Sequence, residues 1–303
     1  MITIIICTYN REKYIGPLLE SIAKNDYPKG DYEILLVDNN CTDNTRAVCQ
    51  SFAETHKDVN FRYVVEPEQG LSAARNKGIK ESKGDIIIYV DDDALVDSNY
   101  ISSYANHLAN NPNTMAAGGP IEPLYETEEP KWMSPYIKAL LTAWMNYGPS
   151  VRNYPKGHYP GGGNAAYRKI VFDKVGLFNT ELGRKGTALL ASEEKDIFDK
   201  MRALGMQVKY LPTPVLHHII PQAKLEKPYF DKLTRQIGNS ERMRTLAISK
   251  SKYLSRLMSE SIKWCATLVL LFLYTLQGNP LKGWKLVLFR KNVTSGLLNI
   301  TKK

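Results

Sequence analysis

Cysteine is scarce in this chain, and its four positions, Cys7, Cys41, Cys49 and Cys265, form no C-x-x-C pair and no zinc-ligand spacing. A disulfide framework and a structural zinc are therefore not expected. No G-x-G-x-x-G follows the first apolar run, which disfavours a dinucleotide-binding enzyme, and no G-x-x-x-x-G-K-[ST] occurs, which removes the P-loop NTPases. Met1 leads directly into Ile2-Thr3-Ile4-Ile5-Ile6 with neither a basic leader nor a cleavage site. A secretory signal is not expected, and a reducing cytoplasm fits. The apolar run 264–276 has 13 residues, interrupted by Thr267 and Thr275. That falls short of the roughly 20 residues that cross a bilayer comfortably. Acid is what the C-terminal part lacks: residues 224–303 carry 16 Lys/Arg against 4 Asp/Glu, a net of +12, whereas residues 1–223 carry 24 against 27, a net of −3. A near-neutral body with a strongly basic tail directs the tail towards an anionic partner, lipid headgroups or nucleic acid.

At 303 residues, 43% hydrophobic and 23% charged, the chain reads as folded, with room for one large domain and an appendage. Apolar, β-branched runs at 2–7, 32–37, 61–65 and 85–90 predict buried strands. Helical spacing predicts helices at 17–24, 45–55, 71–81 and 98–110. This alternation predicts an α/β fold, a mostly parallel sheet flanked by helices. Ligands bind such sheets beyond the carboxyl ends of the strands, where residues 8–11, 38–40 and 91–93 fall. The middle is less regular: a strand at 115–118, loops at 120–135 and 155–164, a helix at 193–204, and a last strand at 208–211 before Pro212 and Pro214. From about residue 225 the pattern is helical and basic.

Asp91-Asp92-Asp93 directly follows the run 85–90. Adjacent like charges repel, and an apolar strand offers them no partner, so the cluster is costly by itself. It becomes sensible where Mg2+ or Mn2+ and a phosphate share the site, because these ions take one or two carboxylates plus phosphate oxygens and water. The plain alternative is a solvated acidic loop, and the preceding segments weigh against it. Cys7-Thr8-Tyr9-Asn10-Arg11 closes the first strand, and Val37-Asp38-Asn39-Asn40-Cys41-Thr42-Asp43 closes the second. Gly70-Leu71-Ser72-Ala73-Ala74-Arg75-Asn76-Lys77-Gly78 opens the third helix. Together with Tyr89-Val90-Asp91-Asp92-Asp93, in this order and spacing, they closely resemble the inverting family 2 glycosyltransferases of the GT-A fold. The resemblance covers about residues 1–225 and leaves 226–303 as a basic, mostly helical extension, the candidate membrane-associated part.

The resemblance implies roles. Thr8, Tyr9, Asn10 and Arg11 would line the nucleoside pocket, with Asp38 accepting a hydrogen bond from the base. Arg75 and Asn76 would lie near the nucleotide. Asp91 and Asp93 match the outer residues of the family's DxD motif. Two apart on extended backbone, they would face one side, one towards ribose or metal and the other towards the metal bridging the diphosphate. Asp92 would serve local backbone or the nucleotide side. Ser192-Glu193-Glu194-Lys195-Asp196 stands where relatives carry a Glu-Asp pair whose second acid is the general base. Here that acid is Glu194, one methylene longer than Asp, with Glu193 as the fallback; acids at a helix start also serve as plain dipole partners. One of His217 and His218 would approach diphosphate and metal, and counting back from Pro221 favours His218. Pro160-Gly161-Gly162-Gly163-Asn164 resembles the family's glycine-rich acceptor-side segment. Trp132, Trp144, Tyr147 and Tyr159 would offer sugar-stacking surfaces.

The expected enzyme moves a sugar from a nucleotide-diphosphate sugar donor to the hydroxyl of a glycan or lipid-linked acceptor. Mg2+ or Mn2+ would be its cofactor, and nucleic acid would not be a partner. Two rivals remain to be separated from it. A nucleotidyltransferase would grip triphosphate with a glycine-rich basic loop, and residues 8–13 contain no glycine. A catalytically inactive sugar-nucleotide binding module would have no use for both the Asp91/Asp93 and the Glu193/Glu194 pairs. In the tail, residues 264–276 fit either a buried core helix or a helix lying in a membrane interface. The basic charge favours an anionic surface on the cytoplasmic face.

Overall fold

The computed structural model describes residues 1–183 and 193–300, so Ser192 of the acidic segment lies outside the described residues. Strands β1 (Ile2–Thr8), β2 (Tyr32–Asp38), β3 (Phe61–Val65) and β4 (Ile86–Asp91) alternate with helices α1 (Glu12–Ala23), α2 (Thr45–Thr55) and α3 (Leu71–Glu81). Then come β5 (Ala94–Val96), α4 (Tyr100–Asn110), β6 (Thr114–Gly118), β7 (Ile121–Tyr125), α5 (Pro135–Thr142), β8 (Arg152–Asn153), β9 (Asn164–Arg168) and α6 (Ile170–Val175). The remainder is α7 (Glu193–Ala203), β10 (Gln207–Tyr210), β11 (Leu216–Ile220), α8 (Gln222–Leu225), α9 (Lys227–Ile248), α10 (Lys250–Leu276) and α11 (Pro280–Leu297). The chain forms two compact units: Met1–Pro123 with Met145–Ile219, and Leu124–Trp144 with Ile220–Lys303.

The first unit is built on an eight-stranded sheet of order β3-β2-β1-β4-β9-β6-β10-β8. Strands β3, β2, β1 and β4 run parallel, and β9 is antiparallel to both β4 and β6. Ile4 and Ile6 pack into the core on one side of the sheet and Ile5 into the core on the other. Covering both faces is what makes these strands read as unbroken apolar runs. The polar exceptions are paired: Thr3 and Glu33 sit opposite each other in β1 and β2. The buried Glu33 carboxylate accepts from Thr3 Oγ1 (2.7 Å), the Lys83 N–H (2.8 Å) and Arg62 (3.1 Å).

Several expectations are corrected. Helix α1 begins at Glu12 and carries Pro17 inside it, rather than starting at Pro17. Its first turn is satisfied by a distant loop. Arg11 N–H donates to Thr45 Oγ1 (3.0 Å), Glu12 N–H to Asp43 (3.1 Å), and Glu12 accepts from the Asn44 N–H (2.8 Å). The stretch 120–135, expected as loop, holds β7, and β9 and α6 follow the glycine-rich segment. The strand near 208–211 is not the last, because β11 pairs antiparallel with β5.

The second unit departs from the expected boundary at 225. Residues 124–144 belong with the C-terminal helices, where Met133, Ile137 and Leu141 form a core with Phe230 and Leu286. Lys285 lies over the Trp132 and Phe230 rings at 4.1 and 3.8 Å, so Trp132 is a core residue here. Helix α10 begins well before residue 264 and has 27 residues. By length and composition it is long and apolar enough to cross a membrane, and only 11% of its apolar window is buried. The buried-core reading of 264–276 does not describe it.

Candidate active site

Parallel register brings the strand ends to one rim. Cys7 is opposite Asp91, and Thr8 is opposite Asp38. On the β2 side the buried Asp38 carboxylate accepts from the Tyr63 hydroxyl and from the Cys41 N–H (2.7 Å). Asn10 and Asn40 both adopt left-handed backbone, which asparagine tolerates well. Asn10 Oδ1 then accepts from the Thr42 N–H at 2.8 Å, tying the first loop to the second. Asn39, which sequence reasoning passed over, donates to the carbonyls of Glu66 (3.0 Å) and Glu68 (2.7 Å) and accepts from the Gly70 N–H (2.8 Å). It links the ends of β2 and β3 to the start of α3. Tyr9 stands exposed beside them.

The aspartates do not sit on one extended strand. Asp91 ends β4, whereas Asp92 and Asp93 form the turn into β5, so simple alternation does not orient them. Asp91 reaches the surface at the rim while its carboxylate is tucked against Gly163, and Asp93 is buried. Arg11 reaches both turn residues, with Nε 3.2 Å from Asp92 and its terminal nitrogen 3.5 Å from Asp93. The Tyr9 N–H donates to Asp92 at 3.3 Å. Crowding raises these acids. Asp91 lies above its ordinary range through lost hydration and then the Asp93 charge. Asp92 is pushed up to about 7 by burial, with Arg11 opposing and Asp93 adding. His218 and His217 are neighbours on β11 and diverge. His218 Nε2 lies 3.4 Å from Asp93, and His217 Nε2 lies 2.9 Å from Asp97.

The acidic pair opens α7. Arg75, buried on α3, places one guanidinium nitrogen 2.9 Å from Glu193 and 2.9 Å from Glu194. Its guanidinium also lies over Tyr89 (5.7 Å) and Phe178 (5.4 Å). Burial alone would lower the Arg75 pKa, but Glu194, Glu193 and Asp91 together hold it above its ordinary value. Arg75 is thus placed against the acids of α7. Asn76, also expected near the nucleotide, spends both ends of its amide on the backbone of Phe178 (2.8 and 2.9 Å). Glu193 is fully enclosed, while the Glu194 side chain keeps 15% exposure.

The glycine run explains itself here. A Cβ on Gly162 would collide with Glu194 and Arg75, and one on Gly163 would collide with the Asp91 carboxylate. These two positions let backbone pass directly over the acids. Asn164, by contrast, is a buried tie. It accepts from Tyr100 (2.8 Å) and Tyr104 (2.6 Å) and donates to the carbonyls of Pro120 (2.7 Å) and Pro214 (3.1 Å). Of the aromatics singled out, Tyr159 stacks on Phe198 (5.5 Å), one helical turn beyond Glu194. Tyr147 packs edge-on against Tyr154 and Tyr210, both 5.4 Å away. Trp144 lies in the helical unit under Lys138.

Among the described residues, no three His, Cys, Asp or Glu side chains converge as a ready metal cage. The donors present suit a hard divalent ion that draws part of its shell from a substrate's phosphates, since Asp93 and His218 adjoin and Asp91 stands at the rim.

Glycosyl transferase family 2 matches residues 3–176. The chain belongs to that family. It is 24% identical over 266 residues to a glucosyl-dolichyl phosphate glucuronosyltransferase of Haloferax volcanii, covering 85% of this chain and 83% of that protein. It is 35% identical over 131 residues to a dolichyl N-acetyl-alpha-D-glucosaminyl phosphate 3-beta-D-2,3-diacetamido-2,3-dideoxy-beta-D-glucuronosyltransferase of Methanococcus voltae, covering 41% of this chain and 40% of that one. Among solved structures it resembles the mannosyltransferase PcManGT from Pyrobaculum calidifontis in complex with GDP-Man and Mn2+, with a TM-score of 0.59 at 19% identity over 99% of this chain and 88% of that one. Staphylococcus aureus TarS 1-349 in complex with UDP-GlcNAc gives 0.54 at 15% identity over 100% and 93%. At these identities the likeness is one of fold, and the fold of this family 2 glycosyltransferase is GT-A.

Proposed function

We propose that this family 2 glycosyltransferase transfers a sugar, with inversion, from a nucleotide-diphosphate sugar to a hydroxyl of a lipid-linked or cell-surface glycan acceptor. The observation that carries the reading is the contact of Arg75 with Glu193 and Glu194 beneath Gly162, because it holds one acid in the open side of the site while burying the other. Glu194 is the base. It takes the proton of the acceptor hydroxyl as that oxygen bonds to the anomeric carbon and the bond from that carbon to the diphosphate breaks on the opposite face. General-base help of this kind comes late, when the attacking hydroxyl has become acidic. Arg75 keeps the carboxylate in place and compensates its charge.

Thr8, Tyr9, Asn10 and Arg11 line the nucleoside side, with Asp38 directed at the base and Asp92 anchoring Arg11 and the Tyr9 backbone. Asp93, with Asp91 and His218, would hold Mg2+ or Mn2+. Such an ion supplies, when bound, the charge neutralisation that a departing diphosphate needs. The basic helical unit would keep the protein peripheral on an anionic membrane surface on the cytoplasmic side, where a lipid-linked acceptor is met.

The test is a melting screen of uridine, guanosine, thymidine and cytidine diphosphates with and without Mn2+, followed by turnover with sugar derivatives of whichever base binds. One nucleotide should raise the melting temperature only when Mn2+ is present, by mass action on the folded state. No stabilisation by any nucleotide removes the reading. Stabilisation without turnover on any sugar supports an inactive binding module instead.

A further inference from the structure

Helix α10 packs Leu270 and Tyr274 on the core around Phe230, but its first half turns a charged seam inwards and an apolar face outwards. Glu260 is 3% exposed, and its carboxylate accepts from Arg256 (2.8 Å) and Arg290 (3.0 Å), with the Thr294 hydroxyl at 3.4 Å. Trp264 Nε1 donates to Thr294 at 3.0 Å and extends this polar seam between α10 and α11. The outward side is apolar. Met258 and Ile262 are 71% and 72% exposed, and Val269, Phe272 and Leu276 continue the same face at helical spacing. Trp284, just beyond the turn into α11, is exposed as well. A helix that meets water normally carries the reverse pattern. Charge points to the occupant: no Asp or Glu follows Glu260, while seven Lys/Arg do.

We propose that this face is a monotopic membrane anchor. Helix α10 and the start of α11 lie flat in the boundary between headgroups and acyl chains of an anionic bilayer, with Ile262, Val269, Phe272 and Trp284 immersed. Helices of this kind insert about 5–10 Å, so they need a long apolar face rather than a spanning length. A transmembrane path would instead draw the Arg256–Glu260–Arg290 network and Lys282 into hydrocarbon, which is costly. A second copy of the chain would cover the same stripe only by bringing together two segments whose charges beyond Glu260 are all cationic, which repel. The proposal deepens the membrane attachment given above and stands apart from the transfer chemistry. It makes the attachment apolar at its centre, with cations as assistance.

The full chain is mixed with vesicles of phosphatidylcholine, with or without phosphatidylserine, and sedimented. Sedimentation is expected with the phosphatidylserine vesicles, with much of it persisting at about 1 M NaCl, where screening has shrunk to about 3 Å. Replacing Ile262 and Phe272 together by serine should lower partitioning at least about tenfold, equivalent to about 1.4 kcal/mol. Independently of any destabilised variant, acyl-brominated lipid should quench tryptophan emission in the unmodified protein, and Trp284→Phe should remove most of that quenching. Complete release by salt, partitioning unchanged in the double variant together with no quenching, or a self-associating protein with no vesicle affinity would each overturn the proposal. Vesicle binding without sugar transfer supports the anchor and removes the transfer reading. Transfer to a soluble acceptor without vesicle binding does the reverse.

Discussion

Both units have an apolar core, but they treat their surfaces differently. In the α/β unit Ile4, Ile5 and Ile6 are wholly buried, and carboxylates gather on an open rim. In the helical unit the Glu260 network is buried beside a core around Phe230 and Leu286, and large apolar side chains also face outwards. Both units also hide glutamate against arginine: Glu33 with Arg62 and Glu193 with Arg75 in the first, Glu260 with Arg256 and Arg290 in the second. The first arrangement is what burial of apolar surface from water selects. The second makes sense beside a medium that is itself apolar. Departures from the water pattern therefore coincide with the two proposed roles, a crowded acidic rim for transfer in one unit and an apolar surface for membrane attachment in the other.

Removing a rim acid should break the contrast most strongly. Asp93→Ala is expected to abolish transfer and metal-dependent nucleotide binding, and Asp92→Ala to do less. All four tryptophans, Trp132, Trp144, Trp264 and Trp284, lie in the helical unit, so its melting can be followed by their emission and should not move. An Asp93 variant that stays fully active in EDTA would remove the assignment. Glu194→Gln comes next, with turnover reduced roughly 10²-fold or more and nucleotide binding nearly intact, the usual scale for a lost general base. If Glu193→Gln shows that phenotype and Glu194→Gln does not, the base is Glu193.

The parallel half of the sheet was legible because its strands are buried on both faces and end in polar residues. The elements α2, β3 and α3 fall where spacing places them. What stayed hidden depends on contacts between distant residues. Strand β7 contains Glu122 and Pro123, and β9 contains two alanines, so neither has the composition of a strand; pairing makes them strands. Arg75 meets Glu193 across 118 residues, a relation that no local pattern carries. The glycines at 162 and 163 hinted at close backbone approach, but only the fold identifies Glu194 and Asp91 as what they approach. The tail's charge was plain in the sequence. Its inward charged seam and outward apolar face were not, because residues 264–276 alone omit Met258, Glu260 and Ile262.

Glu260→Gln sharpens the comparison inside the helical unit. It preserves shape but takes the Glu260 charge from Arg290 and leaves Arg256 with Glu241 alone (3.2 Å), a cost of about 2 kcal/mol. Denaturant unfolding followed by tryptophan emission should show this loss in detergent-free buffer, with the donor-binding melt of the α/β unit unaltered. Unchanged stability would mean that the buried network does not hold the helices together, and the outward apolar face would lose its structural basis.

The smallest expected effect belongs to Glu33 and depends on pH. Burial alone would raise its carboxyl, but the Lys83 N–H, the Thr3 hydroxyl and Arg62 outweigh this and hold it below the ordinary 4.5. A lowered folded value means that the unfolded chain binds more protons as acid is added. The stabilisation is complete above about pH 4.5 and is lost as pH falls through the folded value. Glu33→Gln should therefore cost about 1 kcal/mol at neutral pH, and the difference from the unmodified protein should shrink on acidification. Far-UV circular dichroism during urea unfolding, repeated from neutral to about pH 3, measures that difference. A gap of constant size over the whole range would show that hydrogen bonding at this site is indifferent to charge, leaving the arginine above Glu33 without an electrostatic role.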